Sequence, residues 1–143
     1  MSKIPPKKSK NVVKKVKMVK NDPKKGKIQY EIRQICKKNP KIKQKIKNIK
    51  DLDKKLYYAK VWYITEQQPL HILENFEKRG WKNHHLDHIF PIIESYNQNI
   101  SPEKVGNIKN LRFIPYNENI EKGSKITNES KNALNRIKKI KPI

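Results

Sequence analysis

Residues 81–125 read WKNHHLDHIFPIIESYNQNISPEKVGNIKNLRFIPYNENIEKGSK. Within this stretch, residues 81–90 and 111–114 have the character of extended segments, and each is followed by a proline. Residues 116–122 then have helical character and stop at Gly123. The order of strand, connection, strand and short helix predicts a compact ββα unit.

Helices are predicted before this unit. Apolar residues recur at three- and four-residue spacing over 28–35 and, after a proline, over 42–63, which indicates a long amphipathic helix with a break near Asp51. Another helix is expected over 70–79, with Gly80 as its stop. An aromatic cluster at helical spacing is expected in the core: Tyr57, Tyr58, Trp62 and Tyr63.

The chain divides into four segments. Residues 1–27 contain eleven Lys, one Asp and no aromatic residue, which is typical of a disordered basic arm. Residues 28–79 form a helical, lysine-rich accessory region, 80–127 the ββα core, and 128–143 a C-terminal helix that Thr127 or Asn128 caps. The predicted fold class is α+β, mainly helical.

The charge of the chain indicates its partner. Its 35 Lys and Arg exceed its 13 Asp and Glu, so the formal net charge is +22 and a polyanion such as nucleic acid is expected to neutralise it. Most of these cations are Lys in a chain also rich in Asn and Ile, a composition that A/T-rich coding alone would produce, and a membrane surface is a weaker candidate. The alternative to phosphate contact is a solvated surface. The lysines selected as nucleic-acid contacts are Lys7, Lys8, Lys14, Lys15, Lys43, Lys47 and Lys125.

Cysteine content and hydropathy indicate the compartment. Cys36 stands alone, so an internal disulfide and a Cys-x-x-Cys zinc knuckle are excluded. No apolar run follows the basic N-terminus that would serve as a signal segment or span a bilayer. We expect a protein of the cytoplasm, or of the host-cell cytoplasm if a virus or phage encodes it, with no secretion and no membrane partner.

The ββα unit carries the residue types that phosphodiester hydrolysis requires, which are a base for a water and ligands for a cation. Asp87 supplies a hard oxygen for a divalent metal, and His88 is a base near neutral pH. Asn119, on the following helix, offers an amide oxygen to the same cation. Because successive strand residues point to opposite sides, a bulge or turn must bring Asp87 and His88 to one pocket.

In their order and spacing, these residues resemble the HNH endonuclease family, whose site is the ββα-metal fold. The first signature is matched by Leu86-Asp87-His88-Ile89 followed by Pro91. The second is matched by Asn110-Leu111, then Asn119 and Lys122, in NLRFIPYNENIEKGSK. The matching positions span about a third of the chain.

The resemblance implies a role for each residue. His88 is similar to the general base of the family and Asp87 to a metal ligand. Asn119 stands where the family has a final His or Asn, the second metal ligand. Asn110 corresponds to the middle Asn, which braces the loop that presents the base, and it is grouped with His88 as a catalytic residue. Lys122 meets a phosphate or covers the helix end.

The chain also departs from the family pattern. Many members hold a structural zinc through paired cysteines, but here those places are Pro115 and Glu118, so no structural zinc is expected. With Asn as the last ligand, the donors are oxygens, which favours Mg²⁺ or Mn²⁺. His85 lies two residues before Asp87 on the same strand face, where an accessory contact to metal or phosphate and a surface role are both open. Packing must stabilise the unit and is expected from Trp81, Ile89, Phe90, Leu111, Phe113 and Ile114.

The expected function is metal-dependent hydrolysis of DNA, leaving 5′-phosphate and 3′-hydroxyl ends by family analogy. Nicking, homing-type cutting, restriction-like cutting by a homodimer and resolution of branched DNA are all open, and so is cleavage of RNA. The alternative from another class is a non-catalytic basic nucleic-acid-binding or packaging protein, because charge requires no active site.

Overall fold

A computed structural model describes residues 22–141 of the chain. In this part the protein is α+β and mainly helical, as predicted, with one two-stranded antiparallel sheet. The helices are α1 Pro23–Lys38, α2 Ile42–Ile46, α3 Leu52–Glu66, α4 Ile92–Asn97, α5 Pro102–Val105, α6 Tyr116–Lys122 and α7 Asn128–Lys138. The strands are β1 His84–His88 and β2 Leu111–Pro115, and 3₁₀ turns cover Leu70–Ile72, Phe76–Lys78 and Ile108–Asn110. Among the described helices, none has the length and apolar character needed to cross a membrane.

Helix α1 begins inside the segment predicted to be a disordered arm. The Asp22 carboxylate accepts hydrogen bonds from the backbone N–H of Lys24 at 3.0 Å and of Lys25 at 3.3 Å, and Pro23 is the first helical residue. An N-cap followed by proline is a strong helix start, because both features accommodate the unpaired N–H groups of the first turn. The predicted boundary at residue 27 is therefore wrong for residues 23–27. Lys7, Lys8, Lys14 and Lys15 lie outside the described residues.

The helical break predicted near Asp51 is confirmed. The Asp51 side chain accepts hydrogen bonds from the backbone N–H of Asp53 and Lys54, which starts α3 as a separate helix. Helices α1, α2 and α3 enclose a small core in which four side chains are buried: Ile32, Ile42, Ile46 and Ala59. The aromatic residues of α3 pack against this core or its neighbour, as predicted.

The prediction of a helix over residues 70–79 is wrong. Two 3₁₀ turns take its place, separated by Asn75 in a left-handed conformation with φ of 67°. A continuous right-handed helix excludes that conformation. Trp81 was also expected in the core but is 82% exposed. It lies before β1, which starts only at His84, so the alternation of buried and exposed side chains along the strand does not include it.

The register of the sheet separates the residues of β1 onto two faces. Leu86 pairs with Phe113 and His88 with Leu111, on the face that packs toward α3 and Leu70. Asp87 pairs with Arg112 on the other face, where α6 contacts both strands. The sheet therefore presents the acid and the imidazole from opposite sides, as the alternation of a strand requires.

The main core joins segments that the sequence analysis treated separately. Val61 of α3 packs with Phe90 and Ile92 after β1, with Val105 of α5, and with Ala133 and Ile137 of α7. All these side chains are less than 10% exposed. The accessory region, the ββα unit and the C-terminal helix thus share one core, and α3 is held against the end of β1.

Close contact between α3 and the residue after α5 predicts the effect of a single methyl group. A Cβ at Gly106 would lie 2.9 Å from the Val61 carbonyl oxygen and 3.0 Å from the Ile64 side chain. We therefore expect Gly106→Ala to lower the free energy of unfolding by about 1–3 kcal/mol, as overpacking does. The measurement is urea denaturation followed by circular dichroism.

Gly26 is the matched control. It lies inside α1, and a methyl group added there would have no atom within 4 Å, so Gly26→Ala is expected to stabilise the protein by about 0.5–1 kcal/mol through helix propensity. Equal and small effects of both substitutions would show that α3 and α5 do not pack as described.

Candidate active site

A cavity of about 230 Å³ lies at the end of β1, between α3 and α6. It brings together four residues that the sequence analysis selected, which are Asp87, His88, Asn119 and Lys122. The walls come from Tyr58 and Trp62 of α3 and from residues that follow β1 and α6. The expected bulge or turn is wrong, because pairing is regular through His88; Asp87 and His88 both line the cavity because it lies at the end of the strand.

His88 is buried against α3. Its side chain is only 6% exposed, and its ring packs edge-on against Trp62 with centroids 4.8 Å apart and an interplanar angle of 89°. The ring nitrogen Nε2 lies 2.9 Å from the Thr65 hydroxyl, which is fully buried. Two side chains of α3 thus determine the position and plane of the imidazole.

The pKa of His88 is lowered to about 3. Burial is the main cause, because it disfavours the charged imidazolium, and the positive charges of Lys122 and Lys45 add to it. The ring is therefore neutral at physiological pH and has one nitrogen with an available lone pair, but its pKa is not near neutral as the sequence had suggested.

Both carboxylate oxygens of Asp87 are paired with cations. Lys122 Nζ donates to Oδ1 at 3.1 Å, and Arg112 Nε donates to Oδ2 at 2.9 Å. Arg112 is held in turn by Glu129 at 2.9 Å. At 5% exposure, Asp87 is a buried charge that these partners compensate.

Lys122 connects Asp87 to the end of β1. Its ammonium group also donates to the His88 carbonyl oxygen at 3.2 Å, and its side chain is only 9% exposed. The sequence analysis assigned Lys122 to a phosphate or to the helix end. In the structure its charge meets Asp87, and it lines the same cavity as His88.

His85 contacts Asn119 rather than Asp87. His85 Nε2 donates to the Trp81 carbonyl at 2.7 Å, so in the neutral ring Nδ1 is the acceptor. The Asn119 amide nitrogen donates to that Nδ1 at 3.2 Å, which leaves the Asn119 amide oxygen available for another partner. His85 is therefore a support for Asn119.

The donors present match the chemistry of Mg²⁺ or Mn²⁺ better than that of zinc. Asp87 and Asn119 offer one carboxylate and one amide oxygen, and Mg²⁺ commonly binds one or two such groups together with waters and substrate phosphates. Among residues 22–141, no three His, Cys, Asp or Glu side chains form a metal-binding group. A metal at Asp87 also requires the ammonium of Lys122 to give up its contact with Oδ1.

Asn110 is a structural brace and does not face the cavity. It is fully buried, and its amide oxygen accepts from the Phe90 N–H at 2.8 Å. Its amide nitrogen donates to the carbonyl oxygens of Phe90 at 3.2 Å and Val105 at 2.9 Å. All of these contacts are with backbone, so Asn110 holds the loop after β1 and is not a catalytic residue.

Sequence reasoning missed three residues that contact the predicted site. Thr65 and Trp62 contact His88 from α3, which lies more than 20 residues earlier, and no local pattern indicates this. Arg112 was not selected although it lies directly opposite Asp87 in the sheet. The strand register would have predicted that pair.

A second feature of the described surface is a basic groove, formed by α1, α2 and the first turn of α3, with a volume of about 560 Å³. Ile32 and Ile46 contribute its apolar floor, and no acidic residue lines it. Five cations line it, which are Arg33, Lys37, Lys43, Lys47 and Lys55. Lys43 and Lys47, selected from the sequence, thus lie together on one surface.

Two further lysines lie near the cavity. Lys45, on the same short helix as Lys43, lies over the Trp62 ring with its Nζ 4.3 Å from the centroid. Its pKa is lowered, mainly by burial and then by the charge of Arg79. Lys125 is exposed and follows Ser124, which lines the cavity. Helix α2 therefore carries one lysine in the basic groove, Lys43, and one over a residue of the cavity wall, Lys45.

No protein-family model, curated protein or solved structure matches this chain.

Proposed function

We propose that the protein is a metal-dependent endonuclease of the HNH type, which hydrolyses phosphodiester bonds of DNA. The observation that carries this proposal is the convergence of Asp87, His88, Asn119 and Lys122 on one cavity, although Lys122 lies 35 positions after Asp87. A base, an acid, an amide oxygen and a cation around one space are the groups that such hydrolysis requires.

His88 is the proposed general base. A water molecule beside its lone-pair nitrogen loses a proton to the ring as the water oxygen attacks phosphorus, and the bond from phosphorus to the 3′ oxygen breaks. The 3′ oxygen then takes a proton from solvent, which leaves 5′-phosphate and 3′-hydroxyl ends. Burial against Trp62 and Thr65 keeps the ring in one orientation for this transfer.

Asp87 and Asn119 are the proposed ligands of a Mg²⁺ or Mn²⁺ ion. When bound, such an ion supplies positive charge that offsets charge on the phosphoryl and leaving oxygens. Arg112 keeps Asp87 in place through Oδ2, and His85 orients the Asn119 amide. If an ion took the place of Lys122 at Oδ1, the ammonium group would be available to a phosphate oxygen in the same cavity.

The basic groove is the proposed docking surface for the DNA backbone. Its five cations and lack of acidic lining suit a polyanion, and electrostatic contacts with phosphates supply most non-sequence-specific affinity. Four of the five are Arg33, Lys37, Lys43 and Lys47, two pairs four residues apart along the chain. Lysine predominates, which favours backbone contact over reading of bases.

A chain with one active site cuts one strand of a DNA duplex at a time. Nicking therefore requires one copy of the protein, whereas a double-strand cut or resolution of branched DNA requires two active sites, for which a homodimer is the simplest arrangement. We assign the activity to the cytoplasm, or to the host-cell cytoplasm for a virus- or phage-encoded chain.

A non-catalytic nucleic-acid-binding protein is the second candidate. The observation that favours it is the double pairing of Asp87 with Lys122 and Arg112, because a carboxylate whose two oxygens are both compensated is stable without a metal. One measurement distinguishes the two functions: the nuclease cleaves DNA in the presence of a divalent ion, whereas the binding protein does not.

Replacement of the base is the first test. We expect His88→Ala to reduce cleavage of supercoiled plasmid in Mg²⁺ or Mn²⁺ by 10²–10⁴-fold, which is the typical contribution of a general base, while DNA affinity stays within about twofold. Agarose gels and single-turnover rates measure cleavage, and EDTA should abolish it. His71→Ala is the matched control, because His71 is an exposed imidazole outside the cavity. Wild-type activity in His88→Ala would reject the assignment, and retained binding without any ion-dependent cutting by the wild type would favour the second candidate.

Metal binding is tested separately from activity. We expect Asp87→Asn to weaken Mn²⁺ binding at least about tenfold, or about 1.4 kcal/mol, because the charged ligand is lost while its shape is kept. Isothermal titration calorimetry on the protein without DNA gives this value. Glu129→Gln is the control, since Glu129 pairs with the same Arg112 from an exposed position. Equal Mn²⁺ affinity of Asp87→Asn and wild type would exclude Asp87 as a ligand.

The docking surface is tested with two variants, each of which lacks four positive charges: one in the basic groove and one outside it. The quadruple change of Arg33, Lys37, Lys43 and Lys47 to Gln should weaken duplex binding, and the slope of log K against log salt should fall by about 0.9 for each phosphate that the variant no longer neutralises. Fluorescence anisotropy of His88→Ala protein with labelled DNA measures both without cleavage.

The matched control removes four exposed cations outside the groove: Lys109, Lys131, Lys138 and Lys139, changed to Gln. We expect a smaller loss of affinity and a smaller change of slope from this control. Equal effects of the two quadruple variants would mean that net charge, and not the basic groove, determines binding.

A further inference from the structure

The buried hydroxyl of Thr65 has two hydrogen-bond partners. It lies in α3, in the region for which the sequence indicated no site residue, and is fully buried. Its Oγ1 lies 2.7 Å from the carbonyl oxygen of Val61, one helical turn earlier, and 2.9 Å from Nε2 of His88. A buried hydroxyl costs stability unless it is hydrogen-bonded, and these two contacts provide its bonds.

The number of protons determines the direction of each bond. A carbonyl oxygen only accepts, so Thr65 donates its single proton to Val61. The contact with His88 must then be a bond that Nε2–H donates to the Thr65 oxygen. In a neutral imidazole, a proton on Nε2 leaves the lone pair on Nδ1.

The lone-pair nitrogen reaches the cavity. Among the described residues, every fully buried side-chain nitrogen or oxygen has a hydrogen-bond partner, and Nδ1 of His88 is in none of the side-chain hydrogen bonds there. It is therefore not fully enclosed by the described residues, and the cavity is the space that His88 lines. The edge-on Trp62 ring limits rotation of the imidazole away from this orientation.

We propose that Thr65 is a positioning residue, which holds His88 as the Nε2–H tautomer with Nδ1 directed at the water to be activated. The catalytic consequence depends on the proposed nuclease function, whereas the tautomer does not. In the opposite tautomer, Nδ1 would carry the proton and could not accept one from water. Thr65 thus links the accessory helix to the chemistry at the end of β1.

The first measurement is the tautomer itself. Protein with ¹⁵N-labelled histidine at neutral pH should give a pyrrole-type Nε2 and a pyridine-type Nδ1 for His88, assigned by its loss in His88→Ala. Thr65→Val, which keeps the shape and removes the hydroxyl, should give a mixture of the two tautomers. Thr65→Ser should restore the wild-type pattern. A wild-type His88 protonated on Nδ1 would overturn the proposal without any variant.

The second measurement is the split between kcat and KM. Thr65→Val should lower kcat about five- to tenfold with KM unchanged, because the variant removes one hydrogen bond to the base and leaves the groups that bind substrate in place. Thr65→Ser should recover most of that loss. If Thr65→Val kept both the tautomer and kcat of the wild type, the proposal would be wrong.

Ser95→Ala is the matched control for loss of a buried hydroxyl. Ser95 is fully buried and donates to the Pro91 carbonyl one turn earlier, as Thr65 does to Val61, but among the described residues no hydrogen bond joins it to His88. We expect Ser95→Ala to leave the His88 tautomer and kcat unchanged, even where its melting temperature falls as much as that of Thr65→Val. A tautomer shift in Ser95→Ala as well would overturn a specific role for Thr65. Should the wild type cleave no DNA, the nuclease proposal fails, and the NMR series still decides whether Thr65 orients the ring.

Discussion

The hydrogen bonds of one buried amide, Asn110, hold the structure together around the site. Its side chain binds both backbone groups of Phe90 and the carbonyl of Val105, and its own carbonyl accepts from the Ile89 N–H at 2.8 Å. Each such bond contributes about 0.5–1.5 kcal/mol, but leaving these backbone groups unpaired in the core would cost more. The chain after β1 is thereby tied to the start of β2, and His88 keeps its place at the end of its strand.

Compensation of charge determines what the cavity can bind. Asp87 is the buried acid of the cavity, and its contacts with Lys122 and Arg112 offset its charge. Lys45 adds a further cation above Trp62. An anion that enters this space meets positive charge first, and a divalent cation must compete with Lys122 for Asp87. In the proposed function, a phosphodiester and a metal that enter together would satisfy both requirements, because each supplies the charge that the other needs.

The accessory helices form part of the site. Helix α3 provides the wall of the cavity through Trp62 and contacts the His88 ring through Thr65, and its contact with Gly106 leaves no room for a side chain there. Helix α2 carries Lys43, which lines the basic groove, and Lys45, which lies over Trp62 of the cavity wall. In the proposed function, a substrate backbone in the groove and a scissile bond at His88 would both lie near this short helix. The segment without a recognised motif is in this way as important to the site as the motif itself.

The sequence by itself determined the local elements of the ββα unit, because prolines and a glycine mark their ends within 45 residues. It also led to the selection of Asp87, His88, Asn110 and Asn119 through their resemblance to the HNH pattern. It did not reveal the left-handed Asn75 that prevents a helix, since asparagine adopts that conformation only as its surroundings require. Tertiary structure alone decided which groups contact the site residues. Thr65 meets His88 across 23 positions because burial of α3 in the shared core brings them together, and no local periodicity encodes that distance.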